Sequence, residues 1–500
     1  MTAMLSPVVQ LMSPTHSPKP APLRKRPRHA PPQVYDRTME DFIEELRSIE
    51  EKLDTQSLLS YSSRLQKEYD DKLQSSQISM LPSYNHTLPS GQERGECLAL
   101  DVGGSTFRIA LIRLSGRDAT GKSMDIRHSQ SFEIVDSIKR LEGQAFFDWM
   151  ADRIADMLAN CPSIDHKLDM GLAWSFPIEQ TCSRSGNLLK MGKGFRASAG
   201  LIGQDLSEVI MRSCTSRGLN VQMRTIINDS AGTLISQAYL DSSARMSVIL
   251  GTGMNAGVFL PVQCVGKNKL VDRPESWHTV AKRVLINTEI SMFGKNVMPV
   301  TRWDNHLNSR LPMPGFQPME YLCTGMYLGE IVRLILVEAI DTAGLFNGRR
   351  PENFAEVYSL STSTVAAFEN DFTVDLSKAS SEFVRAHPLL SRPSLHDLYF
   401  IKRVVTFVSH RAQAYLATAV HALWSLRTKA EAAELKDKHV TVACNGTVID
   451  KYPGFRVNCQ RHLDSLCLAS GVSAGTISLE MAPESSIFGA AVAVQCATDE

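Results

Sequence analysis

Between residues 35 and 72 the apolar positions recur at helical spacing: Phe42, Ile43, Leu46, Ile49 and Leu53 fall near i, i+3 and i+4, with acidic residues on the opposite face. That period predicts an amphipathic helix with one side toward a core. The pattern lapses over 75–95, which reads as a connecting loop. From 97 to 114 it becomes an apolar run, a Gly-Gly turn and a second apolar run, predicting two strands, and 129–135 predicts a third. Residues 143–160 return to helical spacing, with Phe146, Phe147, Met150, Ile154 and Leu158 on one side. Strands and helices then alternate to the end, which predicts an α/β protein. No short-period repeat is present. Two glycine-rich turns do recur, Gly103-Gly104 and Gly251-Thr252-Gly253, each after an apolar strand and about 150 residues apart.

Composition changes the picture mainly at the start of the chain. Residues 1–34 are rich in Pro, Ser and basic side chains, with Lys19, Arg24, Lys25, Arg26 and Arg28 preceding the first acid, Asp36. Such a segment has too little apolar surface to offset the entropy of ordering, so a disordered tail is expected. Two readings of 22–28 stand: a nuclear-import signal, or a solvated basic tail. Mitochondrial targeting is disfavoured because the basic residues are bunched between prolines. Over the whole chain Lys plus Arg and Asp plus Glu are 53 each, so no global field draws nucleic acid or anionic membrane. Ten cysteines lie scattered without C-x-x-C or zinc spacing, as expected of free thiols in a reducing compartment. No apolar run reaches the roughly 18 residues of a membrane span, and no secretory h-region opens the chain. A cytoplasmic protein is expected, with the nucleus as alternative, and the sequons at Asn85 and Asn445 are expected to stay unmodified. At 500 residues the chain is long enough for two to four domains.

One motif is deceptive. Gly116-Arg117-Asp118-Ala119-Thr120-Gly121-Lys122-Ser123 fits the P-loop pattern letter for letter. A P-loop needs a helix after it, whose N-terminus receives phosphate. Ile126, Phe132, Ile134 and Val135 make the next segment extended, so a polar hairpin turn is expected instead.

Three constellations carry chemistry. In Asp101-Val102-Gly103-Gly104-Ser105 an apolar strand ends in an acid, two glycines and a hydroxyl. Glycines let backbone N–H groups approach phosphate, and an acid at the strand end suits Mg²⁺ held through water. Gly251-Thr252-Gly253-Met254-Asn255 repeats the arrangement. Asn228-Asp229, between them, ends another apolar strand. It suits a general base facing a cleft, but by itself it reads first as the N-cap of the next helix.

The combination resembles the hexokinase family. Asp101-x-Gly103-Gly104-Ser105-x-Phe107-Arg108 is similar to that family's first phosphate motif, and Gly251-Thr252-Gly253-x-Asn255-Ala256 to its second. Trp174-Ser175-Phe176-Pro177 with Lys193-Gly194-Phe195 resembles the sugar-binding segment, and Asn228-Asp229 the catalytic pair. Ile286-Asn287-Thr288-Glu289 and Pro314-Gly315-x-Gln317-x-x-Glu320 resemble further sugar contacts. Thr324 to Leu334 resembles another family hallmark, and Asn445-Gly446-Thr447 sits where the adenosine motif belongs. The segments occur in family order from about residue 40 to 495.

The resemblance implies an actin-like, duplicated ribonuclease-H-like fold with two lobes around a sugar/ATP cleft. A tail (1–34) and an N-terminal helix with linker (35–96) would precede a small lobe (97–228, rejoined by a C-terminal helix at 484–500) and a large lobe (229–483). It implies transfer of the γ-phosphoryl of ATP to the 6-hydroxyl of a hexose, with Mg²⁺ on the phosphates and Asp229 as proton acceptor. Ser175, Lys193, Asn228, Asn255, Glu289, Gln317 and Glu320 would bind sugar. Asp101, Gly103, Gly104, Ser105, Arg108, Thr252, Gly253, Gly446 and Thr447 would bind ATP, with Asp101 also holding Mg²⁺ through phosphate or through water.

The sequence departs from the family pattern in places. Met191-Gly192 replaces the family's Trp-Thr, and Ser105-Thr106 its Thr-Asn. Ile290-Ser291-Met292 replaces Trp-Gly-Ala, expected as bulk beside the sugar. Asn445 replaces Asp, and Ser485-Ser486-Ile487-Phe488-Gly489 replaces Gly-Ser-Gly-Lys-Gly, expected as bulk near the nucleotide. This mixture resembles divergent hexokinase-like proteins of filamentous fungi. It leaves two functions open: an active hexokinase, or a sugar-binding regulator of the nutrient and carbon-starvation response with weak or no turnover.

Overall fold

The structure, a computed structural model, describes residues 35–161, 166–192, 194–431 and 439–497. The basic tail and Lys193 lie outside the described residues.

Two sheets of like topology form the frame. In the first, β2 (Arg94–Val102), β3 (Thr106–Ser115) and β4 (Met124–Glu133) run antiparallel, and β5 (Leu168–Trp174) and β8 (Val221–Ile227) continue parallel to β2, giving the order β4-β3-β2-β5-β8. In the second, β9 (Ala244–Leu250), β10 (Met254–Pro261) and β11 (Arg283–Asn287) are antiparallel, and β12 (Val440–Asn445) and β13 (Ile477–Met481) run parallel to β9. The order β11-β10-β9-β12-β13 repeats the first, and a short β1 (Leu81–Pro82) is added at its edge. A hairpin of β6 (Ile178–Cys182) and β7 (Ser185–Leu188) stands apart. This is the duplicated two-lobed α/β architecture expected. The middle of β2 (Cys97-Leu98-Ala99-Leu100) and most of β5 are apolar runs because both faces are covered.

Residues 116–123 join β3 to β4, with Ser115 N–H donating to Ser123 O at 2.9 Å. The chain passes from this turn straight into a strand, so the P-loop match is a hairpin turn, as expected.

The N-terminal helical stretch is two helices, Met39–Glu50 and Thr55–Ser75. The break lies at Asp54, an extended residue whose Oδ1 accepts from Gln56 N–H and Ser57 N–H and starts the second helix. Their buried Phe42, Leu46, Leu58, Leu65, Tyr69 and Leu73 join the core of the second lobe. The centre of that core is the 36-residue helix Leu395–Ala430. Its Arg411 makes a bidentate pair with Asp304 at 2.6 and 2.8 Å, both side chains fully buried. All ten cysteines are free thiols. Among the described residues no helix is long and apolar enough to cross a membrane.

Two helices lie between the sheets: Asp229–Leu240, directly after β8, and the C-terminal helix Ser485–Cys496, after β13. They bury Leu234, Ile235, Ile487 and Val492 against Ala99 and Ala173 of one sheet and Ala244 and Leu285 of the other. They cross with backbones touching: a Cβ on Gly489 would sit 2.2 Å from Gly232 O. Only glycine allows that approach.

Candidate active site

The strand ends of the first sheet assemble one wall. Asp101 lies one residue before the end of β2 and pairs in register with Arg108 on β3 and Ala173 on β5. The turn after it is held by Gly103 N–H donating to Thr106 O at 3.0 Å, which leaves Ser105 exposed. Ser175 comes directly after β5, its N–H on Val102 O at 3.2 Å. Asn228 and Asp229 come directly after β8. The capping reading of this pair holds: Asn228 caps the helix, with Oδ1 accepting from Ala231 N–H at 2.8 Å, and Asp229 is its first residue. One Asp229 carboxylate oxygen accepts from Ser230 N–H at 2.8 Å.

The second sheet supplies the opposite wall. Gly251 N–H donates to Gly253 O at 2.9 Å, forming a tight turn with Thr252 exposed. Gly325 N–H, opening the helix Gly325–Ala343, donates to Gly251 O at 2.8 Å. Gly446 has φ 113° and packs so closely that a Cβ would lie 2.3 Å from Leu250 O, while a Cβ on Gly251 would lie 3.4 Å from Thr447 N. Residues 251–253 and 446–447 are therefore one glycine-lined cradle. Glu320 stands beside it, since a Cβ on Gly253 would come within 3.2 Å of Glu320 Oε2.

Carboxylates and amides cluster next to that cradle. Asn255 Nδ2 donates to Asn287 Oδ1 at 2.8 Å, and Asn287 Nδ2 donates to Glu289 Oε1 at 2.9 Å. Glu289 (φ 50°, ψ 49°) and Gln317 (φ 50°, ψ 57°) are both left-handed, a conformation that costs energy for side chains of this size and gathers at functional sites. Gln317 Nε2 reaches Ser291 Oγ at 3.3 Å.

Electrostatics ties the walls together. Burial pushes the Asp101 carboxyl up to about 6, against the pull of Arg108, and the Asp229 charge pushes the same way. Burial also raises Glu289, opposed by its bond from Asn287 and reinforced by Asp229. Asp229 thus shares a field with Asp101 on one side and Glu289 on the other.

Some positions differ from expectation. Arg108, expected among the ATP contacts, pairs its guanidinium with Glu484 at the start of the C-terminal helix. Ile487, expected as bulk near the nucleotide, is instead core between the two sheets, and Phe488 packs against the same cluster. Ile290 is likewise core, Met292 packs against it, and Ser291 becomes the partner of Gln317. Asn287, matched in the sequence only as part of a motif, joins Asn255 to Glu289; its one sequence signal is an amide ending the apolar run Val284-Leu285-Ile286. Lys193 lies outside the described residues.

Family comparison agrees with this geometry. Two models, each described as Hexokinase, match residues 45–239 and 245–496, the second covering half the chain. The chain belongs to the hexokinase family. Hexokinase-7 of Oryza sativa subsp. japonica is 28% identical over 421 residues, 83% of this chain and 88% of that one. N-acetylglucosamine kinase 1 of Candida albicans is 28% identical over 445 residues, 84% of this chain and 86% of that one. Among solved structures, hexokinase from Schistosoma mansoni complexed with glucose superposes with a TM-score of 0.74 at 27% identity, covering 92% of this chain and all of that one. As a hexokinase-family chain, it carries the frame of a sugar kinase. The residues present fit a nucleotide's phosphates: two glycine turns carry the exposed hydroxyl residues Ser105 and Thr252, and Gly446 lets its segment pack directly on the Leu250 backbone beside the second turn. Among the described residues no three or more His, Cys, Asp or Glu gather into a metal cage. The single Asp101 suits a cation that arrives on phosphate.

Proposed function

We propose that the chain transfers the γ-phosphoryl of ATP to the 6-hydroxyl of a hexose. The observation that carries this reading is Asp229, whose charge acts on both Asp101 and Glu289. A proton acceptor between a phosphate-side acid and a sugar-side acid is what phosphoryl transfer to a hydroxyl requires. Asn228, Asn255, Glu289, Gln317 and Glu320 hold the sugar hydroxyls, with Ser175 approaching from the other lobe and Lys193 as a further sugar contact. Carboxylates and amides accept hydrogen bonds in fixed directions, and so select hydroxyl geometry. Gly103, Gly104, Ser105, Thr252 and Gly253 receive phosphate oxygens, and Gly446 and Thr447 flank the nucleoside. Mg²⁺, when bound, neutralises phosphate charge as the bond to the leaving oxygen loosens. Asp229 takes the hydroxyl proton as the new O–P bond forms. Closure of the lobes keeps water from competing for the phosphoryl group.

A second reading, a sugar-binding regulator with feeble turnover, is favoured by one feature: the nucleotide-side strand ends in the amide Asn445. A coupled assay of hexose 6-phosphate formation separates the two. The expected result is turnover that Asp229→Ala lowers about 100- to 10,000-fold, the range of a general base, with glucose affinity retained. Glucose binding without turnover in the unaltered chain would favour the regulator.

A further inference from the structure

The buried contact between β12, the Asp229 helix and the C-terminal helix contains a chain of four polar groups. Thr233 Oγ1 lies 2.9 Å from Asp229 O and 2.9 Å from Ser485 Oγ, and Ser485 Oγ in turn meets Asn445 Nδ2. Thr233 and Ser485 are fully buried, so no solvent completes their hydrogen bonding. The direction of the chain is set by its ends. Asp229 O can only accept, so the Thr233 hydroxyl donates to it. Thr233 Oγ1 must then accept from the Ser485 hydroxyl. At the other end, Gly446 N–H donates to Asn445 Oδ1 at 2.6 Å, which fixes the oxygen side of that amide and turns its NH₂ toward Ser485. Each group donates once onward, from Asn445 through Ser485 and Thr233 to the backbone of Asp229.

We propose that Asn445 and Ser485 are positioning residues for Asp229, holding its backbone in register with the Gly446-Thr447 cradle through this one-way chain. Two positions that depart from the family pattern therefore work as a pair. The proposal rests on Asp229 as the proton acceptor of the proposed reaction. It requires a donor at position 445. An ionised aspartate there only accepts. With Gly446 N–H on one oxygen, its other oxygen would draw the Ser485 proton, Ser485 would draw the Thr233 proton, and Asp229 O would lose its bond from the Thr233 hydroxyl. Removing the Ser485 hydroxyl breaks that competition and returns the Thr233 proton to Asp229.

The test is a set of three variants of the full chain, N445D, S485A and N445D/S485A, assayed for hexose 6-phosphate formation, with glucose binding followed by calorimetry and unfolding by urea. N445D is expected to lower kcat about tenfold, the worth of one buried hydrogen bond in the transition state, with glucose affinity within about twofold. S485A should lose less, and the double variant should match S485A rather than multiply the two losses. A purely structural role would leave kcat unmoved while unfolding shifted. Turnover of N445D at the unaltered level, or losses that multiply, would overturn the proposal. Absence of turnover in the unaltered chain sinks the phosphotransferase reading instead. The chain of bonds is then judged on unfolding midpoints, where N445D must be lowest and the double variant must recover; any other order rejects it.

Discussion

Asn287 touches no reacting group, yet its removal should weaken sugar binding. Its amide donates to Glu289 Oε1 at 2.9 Å and accepts from Asn255 Nδ2 at 2.8 Å, so one side chain holds two of the proposed sugar ligands. A hydrogen bond to a carboxylate contributes about 1.5–3 kcal/mol and one between amides about 1 kcal/mol. Asn287→Ala removes both, and water entering the space restores part. A net loss of about 2 kcal/mol corresponds to glucose affinity about 30-fold weaker. The pH dependence should change as well. The Asn287 bond holds Glu289 down against burial and the Asp229 charge. Without it the Glu289 pKa rises further, the acid is protonated over a wider range, and with falling pH affinity should begin to drop at a higher pH than in the unaltered chain. Calorimetry with glucose across that range measures both effects, and a thermal melt checks that the variant is folded. Glucose affinity of Asn287→Ala within about threefold of the unaltered chain, with an unchanged pH profile, would refute the reasoning.

Two further outcomes are expected from other parts of the structure. Asp101, raised to about 6, loses its charge as pH falls through that value. The kcat/KM for MgATP should therefore decline below about pH 6, and Asp101→Asn should be slower but lack that limb in a pH–rate profile. In the second lobe, Asp304→Ala leaves Arg411 charged and fully buried, which should cost about 3–5 kcal/mol of stability in urea unfolding; pairing Asp304→Leu with Arg411→Met should recover most of it.

Local features carry much of this in the sequence. The glycine turns at 103–104 and 251–253 and the acid after β8 are legible because a strand end beside glycine or a capping residue is written in a few adjacent letters. The hairpin at 116–123 is legible for the same reason: the segment after it alternates like a strand. Pairings across the chain are not. Arg108 meets Glu484 at a separation of 376 residues, and no local pattern distinguishes that from a phosphate contact. Ile487 looks like an obstruction in the sequence because a motif position says where a residue lies along the chain, not which way its side chain turns. The break at Asp54 is hidden by apolar residues that keep helical spacing on both sides. The membership of Met39–Glu50 and Thr55–Ser75 in the second lobe depends on the helix Leu395–Ala430, more than three hundred residues away.

The meeting of Gly232 and Gly489 has a mechanical consequence. Main chain rests on main chain there, with no side chains to mesh like gear teeth. Two rods touching at such a point can swivel with little loss of contact, whereas sliding along each other would drive Ile487 and Leu234 out of their seats. At that crossing an angular adjustment therefore disturbs less packing than a translation. A single methyl added at Gly489 would press on the Gly232 main chain and act as a wedge at the pin.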